Sequence, residues 1–406
     1  MTSRLSTRRA VPELDLDLFG DDSLRAPFAD YRQLRDAGAV VRLHRPDTYA
    51  IGRFAEVQAA LRDAGRLISG EGVGFGAAFN APRGMNVLQS DGDLHRRLRA
   101  TVTRPLSPAR LREVRPDLKA MIVARVKALT GQGQFDAMTS LAAFLPVEAV
   151  SHFVGLPEVG REHMLEWAAA AFNLIGPDQD PADIVRLQGV VAFLASLSEE
   201  TVRAGSWAGE LFAAARSGRL SMPEAMAAIS AYIIPSLDTT ILAKGHLLHN
   251  LARDPEGWAL LRQRPELIPS AVLESVRRDS VIRWFSRIAA EDYAVEGVVI
   301  PKGARVMLLY GSANRDERHY PDPDRFDLTR DARDHLAWGT GPHMCAGMHL
   351  ARIEMEVLLE ALIEADVTPV SGEPVMGTNR GLFGFAELPF RLEGRIPDAP
   401  RSIRNS

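Results

Sequence analysis

Hydrophobic positions along the chain recur mostly at helical spacing, with two regions that alternate instead. The spacing predicts a helix over Phe28–Ala37, and Val40–Arg53 alternates around a Pro-Asp turn as a β-hairpin does. From Ala55 to Asp279 the period is helical almost throughout, broken at Gly72–Gly76 and at Gly176-Pro177-Asp178. A second β portion is expected at Tyr293–Ile300 and Ala304–Tyr310, turning over Pro301–Gly303. Ser312–Asp334 is rich in Asn, Asp, Arg and Pro without a period and reads as a long ordered loop. A helix returns near Cys345 and runs to about Ala365, and short strands follow over Leu382–Leu392. The polar, Pro-interrupted residues 1–20 read as a flexible arm, 21–395 as one domain and 396–406 as a tail. The fold class is mainly α with minor antiparallel β.

One predicted helix is unusually long. Ser221-Met222-Pro223-Glu224 supplies a hydroxyl cap and a proline in the first turn. The pattern continues to about Arg253, roughly 45 Å at about 1.5 Å per residue, enough to cross a domain. Pro235 lies near its middle, where the missing N–H opens or kinks the helix. Such a break inside a central helix is either an accident of packing or a place where something binds.

Composition narrows the function. The chain has 406 residues with 46% hydrophobic and 25% charged, an ordinary globular mixture. The net charge of −4 lacks the basic excess of a nucleic-acid binder. There is one cysteine, Cys345, so neither an internal disulfide nor a multi-Cys zinc site is possible. Met1–Phe19 has no apolar signal-like stretch, and no run of 18 apolar residues is read, so no membrane span is expected and the location is expected to be cytoplasmic.

The chemistry gathers around the lone cysteine, in Trp338-Gly339-Thr340-Gly341-Pro342-His343-Met344-Cys345-Ala346-Gly347. Gly339, Gly341 and Gly347 allow the backbone to turn tightly and to approach a flat partner. Cys345 stands at the mouth of a helix, where free N–H groups and the helix dipole favour a thiolate. A thiolate held by glycines against a large planar ligand is what an axial haem ligand requires.

This segment resembles the haem-binding signature of the cytochrome P450 monooxygenases, Phe-Gly-x-Gly-x-His-x-Cys-x-Gly, with Trp338 in place of Phe. The resemblance implies the cytochrome P450 fold, whose long central helix binds oxygen, and haem b (iron protoporphyrin IX) with Cys345 on the iron. Trp338 and Gly339 then belong to the cofactor site. Glu274 and Arg277, spaced to share a helix face, match the family's Glu-x-x-Arg. Arg325, in Pro321-Asp322-Pro323-Asp324-Arg325-Phe326, matches the third, structural member of that set. His95 and Arg99 match the family's His-x-x-x-Arg for one haem propionate, and Arg287 and His343 match its other propionate contacts.

Pro235-Ser236-Leu237-Asp238-Thr239-Thr240 resembles the oxygen-binding segment (Ala/Gly)-Gly-x-(Asp/Glu)-Thr. Splitting oxygen consumes two protons, and a hydroxyl with a water-linked carboxylate can relay them. Thr239 and Asp238 match those catalytic roles, while Pro235-Ser236 departs from the pattern and sets a second hydroxyl near the oxygen. The resemblance extends from about Leu24 to Leu392, and is strong to soluble bacterial members at Gly311–Asp316 and His349–Arg352. It implies partners: an iron–sulfur ferredoxin and a flavin-dependent NAD(P)H ferredoxin reductase. Arg96, Arg97, Arg104 and Arg110 are candidates for steering an acidic ferredoxin, or are simply a solvated Arg-rich helix.

The substrate is read only by position. Met85, Phe172, Leu174, Tyr232, Ile233, Ser236, Arg283, Trp284, Phe285, Leu382 and Phe383 are expected to line a pocket for a small hydrophobic, aromatic-leaning substrate, hydroxylated or O-demethylated. Arg83 or Arg283 would meet a carboxylate. A tailoring hydroxylase of terpenoids or polyketides is the alternative, as is a peroxide-driven haem-thiolate peroxygenase. A Cys345–His343 hydrolase is the non-haem reading, with the two residues poorly spaced for it.

Overall fold

The computed structural model describes residues 9–81, 86–159 and 161–394. Eight helices position the site: α1 (Phe28–Ala37), α2 (Phe54–Arg62), α3 (Gly92–Thr103), α4 (Pro108–Leu129), α5 (Met222–Ile233), α6 (Asp238–Ala252), α7 (Ile268–Arg278) and α8 (Met348–Glu364). α8 packs on α4 and on α7, α7 packs on α6, and α5 lies against α3. Their apolar faces form one large core that includes Leu118, Ile122, Leu247, Val272, Val357 and Leu358.

Beside the helices lies a six-stranded sheet. Its strands are β1 (Glu13–Asp17), β2 (Val41–Arg45), β3 (Asp47–Ile51), β4 (Leu67–Ile68), β6 (Trp284–Ala289) and β9 (Arg305–Leu309), in the order β1-β2-β3-β9-β6-β4. Between these in the chain come β5 (Phe135–Asp136), β7 (Tyr293–Val295) and β8 (Val298–Ile300). The C-terminal part adds β10 (Val367–Ser371), β11 (Val375–Met376), β12 (Phe385–Glu387) and β13 (Pro389–Gly394). Pairing is mostly antiparallel, but β1–β2 and β3–β9 are parallel.

The hairpin around Pro46 forms as the alternation predicts, with Val41 opposite Ala50 and His44 opposite Asp47. Three expectations need correction. The arm is not loose where it is described: Leu14, Leu16 and Leu18 alternate, and Leu16 and Leu18 are buried as β1 joins the sheet. The later hairpin turns over Glu296–Gly297, both at positive φ, and not over Pro301–Gly303. β9 instead crosses to pair with β3 and β6. β6 escaped a periodicity reading because Trp284, Ser286 and Arg287 are all buried, which erases the polar half of the alternation.

The long helix forms and is broken where proline predicts. A capping box between Ser221 and Glu224 starts α5. The chain then tightens into a 3₁₀ turn over Ile234–Ser236 before α6 resumes at Asp238. The Ser236 hydroxyl donates back to the Ile233 carbonyl at 3.1 Å and to the Tyr232 carbonyl. Its proton thus rests on the backbone of the preceding turn. By length and apolarity Met222–Ala252 resembles a membrane span, but half of its apolar window is buried inside the fold.

Candidate functional site

The Cys345 loop is held by its own backbone. Cys345 donates its N–H to the Trp338 carbonyl at 2.8 Å, and Gly339 and Gly341 take φ of 68° and 73°, a region that disfavours side chains. At Gly341 an added Cβ would also meet the Leu61 carbonyl oxygen at 2.8 Å, so α2 sets how this loop sits. The loop delivers the sulfur to the start of α8, where the Gly347 and Met348 amides donate to it. Cys345 is accessible, yet protein surrounds it deeply enough for burial to push its thiol up. An accessible residue deep in a fold lines an internal recess. Burial outweighs the two amides and the nearby Arg99 charge in setting that direction.

Two arginines and two histidines lie near it. The rings of His95 and His343 are 4.1 Å apart, and Arg99 acts electrostatically on both histidines and on Cys345. Arg287 is buried in β6, hydrogen-bonds with Tyr310 and adds its charge near His343. Burial, then His343 and Arg99, hold His95 down at about 4, and its buried Nε2 has no partner. The carboxylate facing this group is Asp91, 3.7 Å from His343, which also accepts the Ser69 and Gly70 amides at 3.0 and 2.6 Å. Two arginines, two histidines and an orphaned ring nitrogen beside an accessible buried sulfur fit the carboxylates and iron of a haem.

Across the break in the long helix, Thr239 donates its hydroxyl to the Pro235 carbonyl at 2.6 Å. Both Asp238 and Thr239 are half-buried. Burial raises the Asp238 carboxyl to about 7, so it exchanges a proton near neutrality. The side chain retains some accessibility despite that burial, as expected of a group facing a recess.

Glu274 and Arg277 are fully buried and joined at 2.6 and 2.9 Å. Arg277 also donates to the carbonyls of Asn314 and Pro323 at 2.7 and 2.9 Å, tying the loop to α7. The third member is corrected: Arg330 donates Nε to Glu274 at 3.1 Å, while Arg325 is exposed and supplies only a carbonyl to Arg277. The two arginines are five positions apart, and the loop's turns at Asp322 and Asp327 decide which one points inward.

The substrate residues fare unevenly. Arg283 is buried and donates to the Ser23 and Leu24 carbonyls at 2.9 Å each, so it is not free for a carboxylate. Trp284 bonds the Arg380 carbonyl and packs on Phe19 and Phe75, Tyr232 bonds the Val102 carbonyl, and Phe172, Leu174, Ile233 and Leu382 are buried. Phe383 stacks on His246 at 5.1 Å, and Phe285 remains half-buried. Arg83 and Met85 lie outside the described residues. All four steering arginines are exposed, and Arg96 pairs with Asp93, Arg97 with Glu224 and Arg110 with Glu210. Asp91, Tyr310 and Arg330 were missed. Only Asp91 carried a signal, four residues before His95 at the start of the same helix.

A mainly helical fold with an accessible cysteine at a helix start near two arginines and two histidines, and an Asp-Thr pair at the break of a long helix, has the features of a haem-thiolate protein. The family profile described as Cytochrome P450 matches residues 209–389. A protein named Cytochrome p450 CYP199A2 from Rhodopseudomonas palustris is 33% identical over 391 residues, covering 94% of this chain and 95% of its own. The 6-deoxyerythronolide B hydroxylase of Saccharopolyspora erythraea is 30% identical over 95% of this chain and 99% of its own. The crystal structure of epothilone D-bound cytochrome P450epoK superposes with a TM-score of 0.84 at 26% identity, covering 94% of this chain and all of that one. The chain belongs to the cytochrome P450 family, and it is an oxidoreductase of the monooxygenase class.

Proposed function

We propose that this protein inserts one atom of O₂ into a small hydrophobic substrate, with an aromatic ring as the first candidate, using electrons from a ferredoxin and its flavin-dependent NAD(P)H reductase. The observation that carries the reading is the accessible Cys345 sulfur, deep in the fold, beside His95, Arg99, Arg287 and His343. Haem b would take Cys345 on its iron and place its propionates among those four side chains. Bound there, it supplies oxygen activation.

The chain's own residues do the rest. Arg99 and Arg287 would neutralise the propionates in a buried setting, where unpaired carboxylates are costly. Tyr310 holds Arg287 in place. Asp238 carries a proton at its carboxyl, and the Thr239 hydroxyl, seated on the Pro235 carbonyl, presents an oxygen beside the break in the helix. The Ser236 hydroxyl, like that of Thr239, rests on backbone carbonyls of the broken turn, so each offers an oxygen there as an acceptor.

The aromatic reading rests on the resemblance at Ser312–Asp324 and Trp338–Met355 to bacterial members that hydroxylate or O-demethylate aromatic acids and ethers. With Arg283 bonded to backbone, a carboxylate partner on the substrate loses half its support. The similarity to 6-deoxyerythronolide B hydroxylase and the epothilone-bound structure favours a polyketide as the second reading. The protein is expected to work in the cytoplasm.

Protein from haem-replete cells, reduced under carbon monoxide, should show the band typical of thiolate ligation, and Cys345→Ser should abolish it. A Soret-shift screen of methoxybenzoates beside macrolactones separates the two substrate readings. Product from peroxide alone, at the rate reached with ferredoxin, reductase and oxygen, would favour a peroxygenase instead.

A further inference from the structure

Lys244 and Glu354 form an ion pair at 2.7 Å with side chains only 1% and 4% exposed. None of the roles assigned above uses either residue. Burial presses the Lys244 ammonium down and the Glu354 carboxyl up, and each is restored by the other. Taking two charges out of water costs several kcal/mol per ion, and two apolar side chains would hold the helices together as well or better. Such a pair therefore needs a reason beyond cohesion.

Its location supplies one. Lys244 lies on α6, five residues after Thr239, and Glu354 lies on α8, nine residues after Cys345. Both helices pack against α7, and the ion pair joins them to each other. Neighbouring residues fix α6 at the same level. An added Cβ at Gly245 would meet the Met138 sulfur at 2.5 Å, and His246 Nε2 lies 3.2 Å from the Phe383 carbonyl. Apolar packing is non-directional and tolerates sliding, whereas a hydrogen-bonded ion pair selects one register.

We propose that Lys244 and Glu354 are positioning residues whose ion pair sets the register of α8 against α6, keeping the Cys345 sulfur at the height where it stays bound as a thiolate opposite Asp238 and Thr239. This rests on the haem-thiolate reading above.

The test compares two double variants with the parent holoprotein, because either single change strands a buried charge and risks misfolding. Lys244→Met with Glu354→Leu keeps volume and removes the directional pair. Lys244→Arg with Glu354→Asp keeps both charges and exchanges length between the partners. Each is reduced under carbon monoxide, and the thiolate and protonated-thiol bands are followed together with the melting temperature. The apolar variant should melt at or above the parent temperature yet lose most of its thiolate band, and the charged variant should regain it. Equal thiolate bands in the parent and the apolar variant would overturn the proposal and leave the haem-thiolate assignment intact. Loss of the band in the charged variant at an unchanged melting temperature would also overturn it. A parent without the thiolate band would instead bring down the haem-thiolate reading, and this inference with it.

Discussion

Asp238 gains its chemistry from its position. A carboxyl in water titrates near about 3.9 and is an anion throughout the neutral range. Burial alone raises it here to about 7. Its protonated fraction therefore falls as pH rises through that value, and a relay that draws on that proton should slow over the same interval. Asp238→Asn removes the titration. The expected outcome is a turnover lower by about 10²-fold, the lower end of what a positioned general acid contributes, and a profile flat across pH 6–8. Product and peroxide per NADH, measured together over that range, check it. An inflection near neutrality that survives in the variant would falsify the assignment.

At the level of elements, the loops around the recess are stitched by close backbone approaches. Phe75 and Gly76 both donate their N–H to the Ile175 carbonyl, at 2.8 and 3.4 Å. A Cβ on Gly76 would run into the Leu174 carbonyl oxygen, so Gly76→Ala must push the two segments apart. The expected cost is about 1–3 kcal/mol, the usual range for overpacking, read as a lower urea midpoint. The loop following β9 supplies a second contrast. Arg330 reaches the fully buried Glu274, so Arg330→Ala should cost about 1.5–3 kcal/mol as a lost hydrogen bond to a charged group. Arg325 is exposed and meets Arg277 through its backbone carbonyl, which an alanine retains, so Arg325→Ala should stay within about 0.5 kcal/mol. Denaturant unfolding of both variants decides which arginine is the structural one, and equal losses would contradict the geometry.

At the scale of the whole molecule, Asp279 ties three distant parts together. It accepts from Asn250 on α6 and from Arg315 in the loop after β9, at 2.8 Å each, and pairs with its neighbour Arg278. Burial by itself would raise its carboxyl, but Arg278, His246 and Arg315 outweigh that and hold it far below the ordinary value. A depressed folded pKa contributes stability that is complete above the unfolded value of about 3.9 and is lost as pH falls below it. Acid unfolding of the parent should therefore steepen below about pH 4. Asp279→Asn should unfold more readily at pH 7 and lose that part of the acid dependence, measured as urea midpoints from pH 3 to 7.

Local spacing was enough to identify the Cys345 loop, the hairpin at Pro46 and the helix broken at Pro235, because glycine, proline and periodic apolar residues act within a few positions of themselves. For Glu274 and Arg277, one helical turn apart, spacing allowed the pairing but only the family resemblance singled it out. Choices between equivalent residues lay beyond that reach. Arg330 rather than Arg325 meets Glu274, Arg283 turns to the carbonyls of Ser23 and Leu24, and Lys244 finds Glu354, because contacts between residues far apart in sequence depend on how helices and loops pack. The protonation of Asp238 and Cys345 was hidden for a related reason. Residue type fixes the ordinary pKa, but the surrounding protein fixes how much water remains to stabilise a charge.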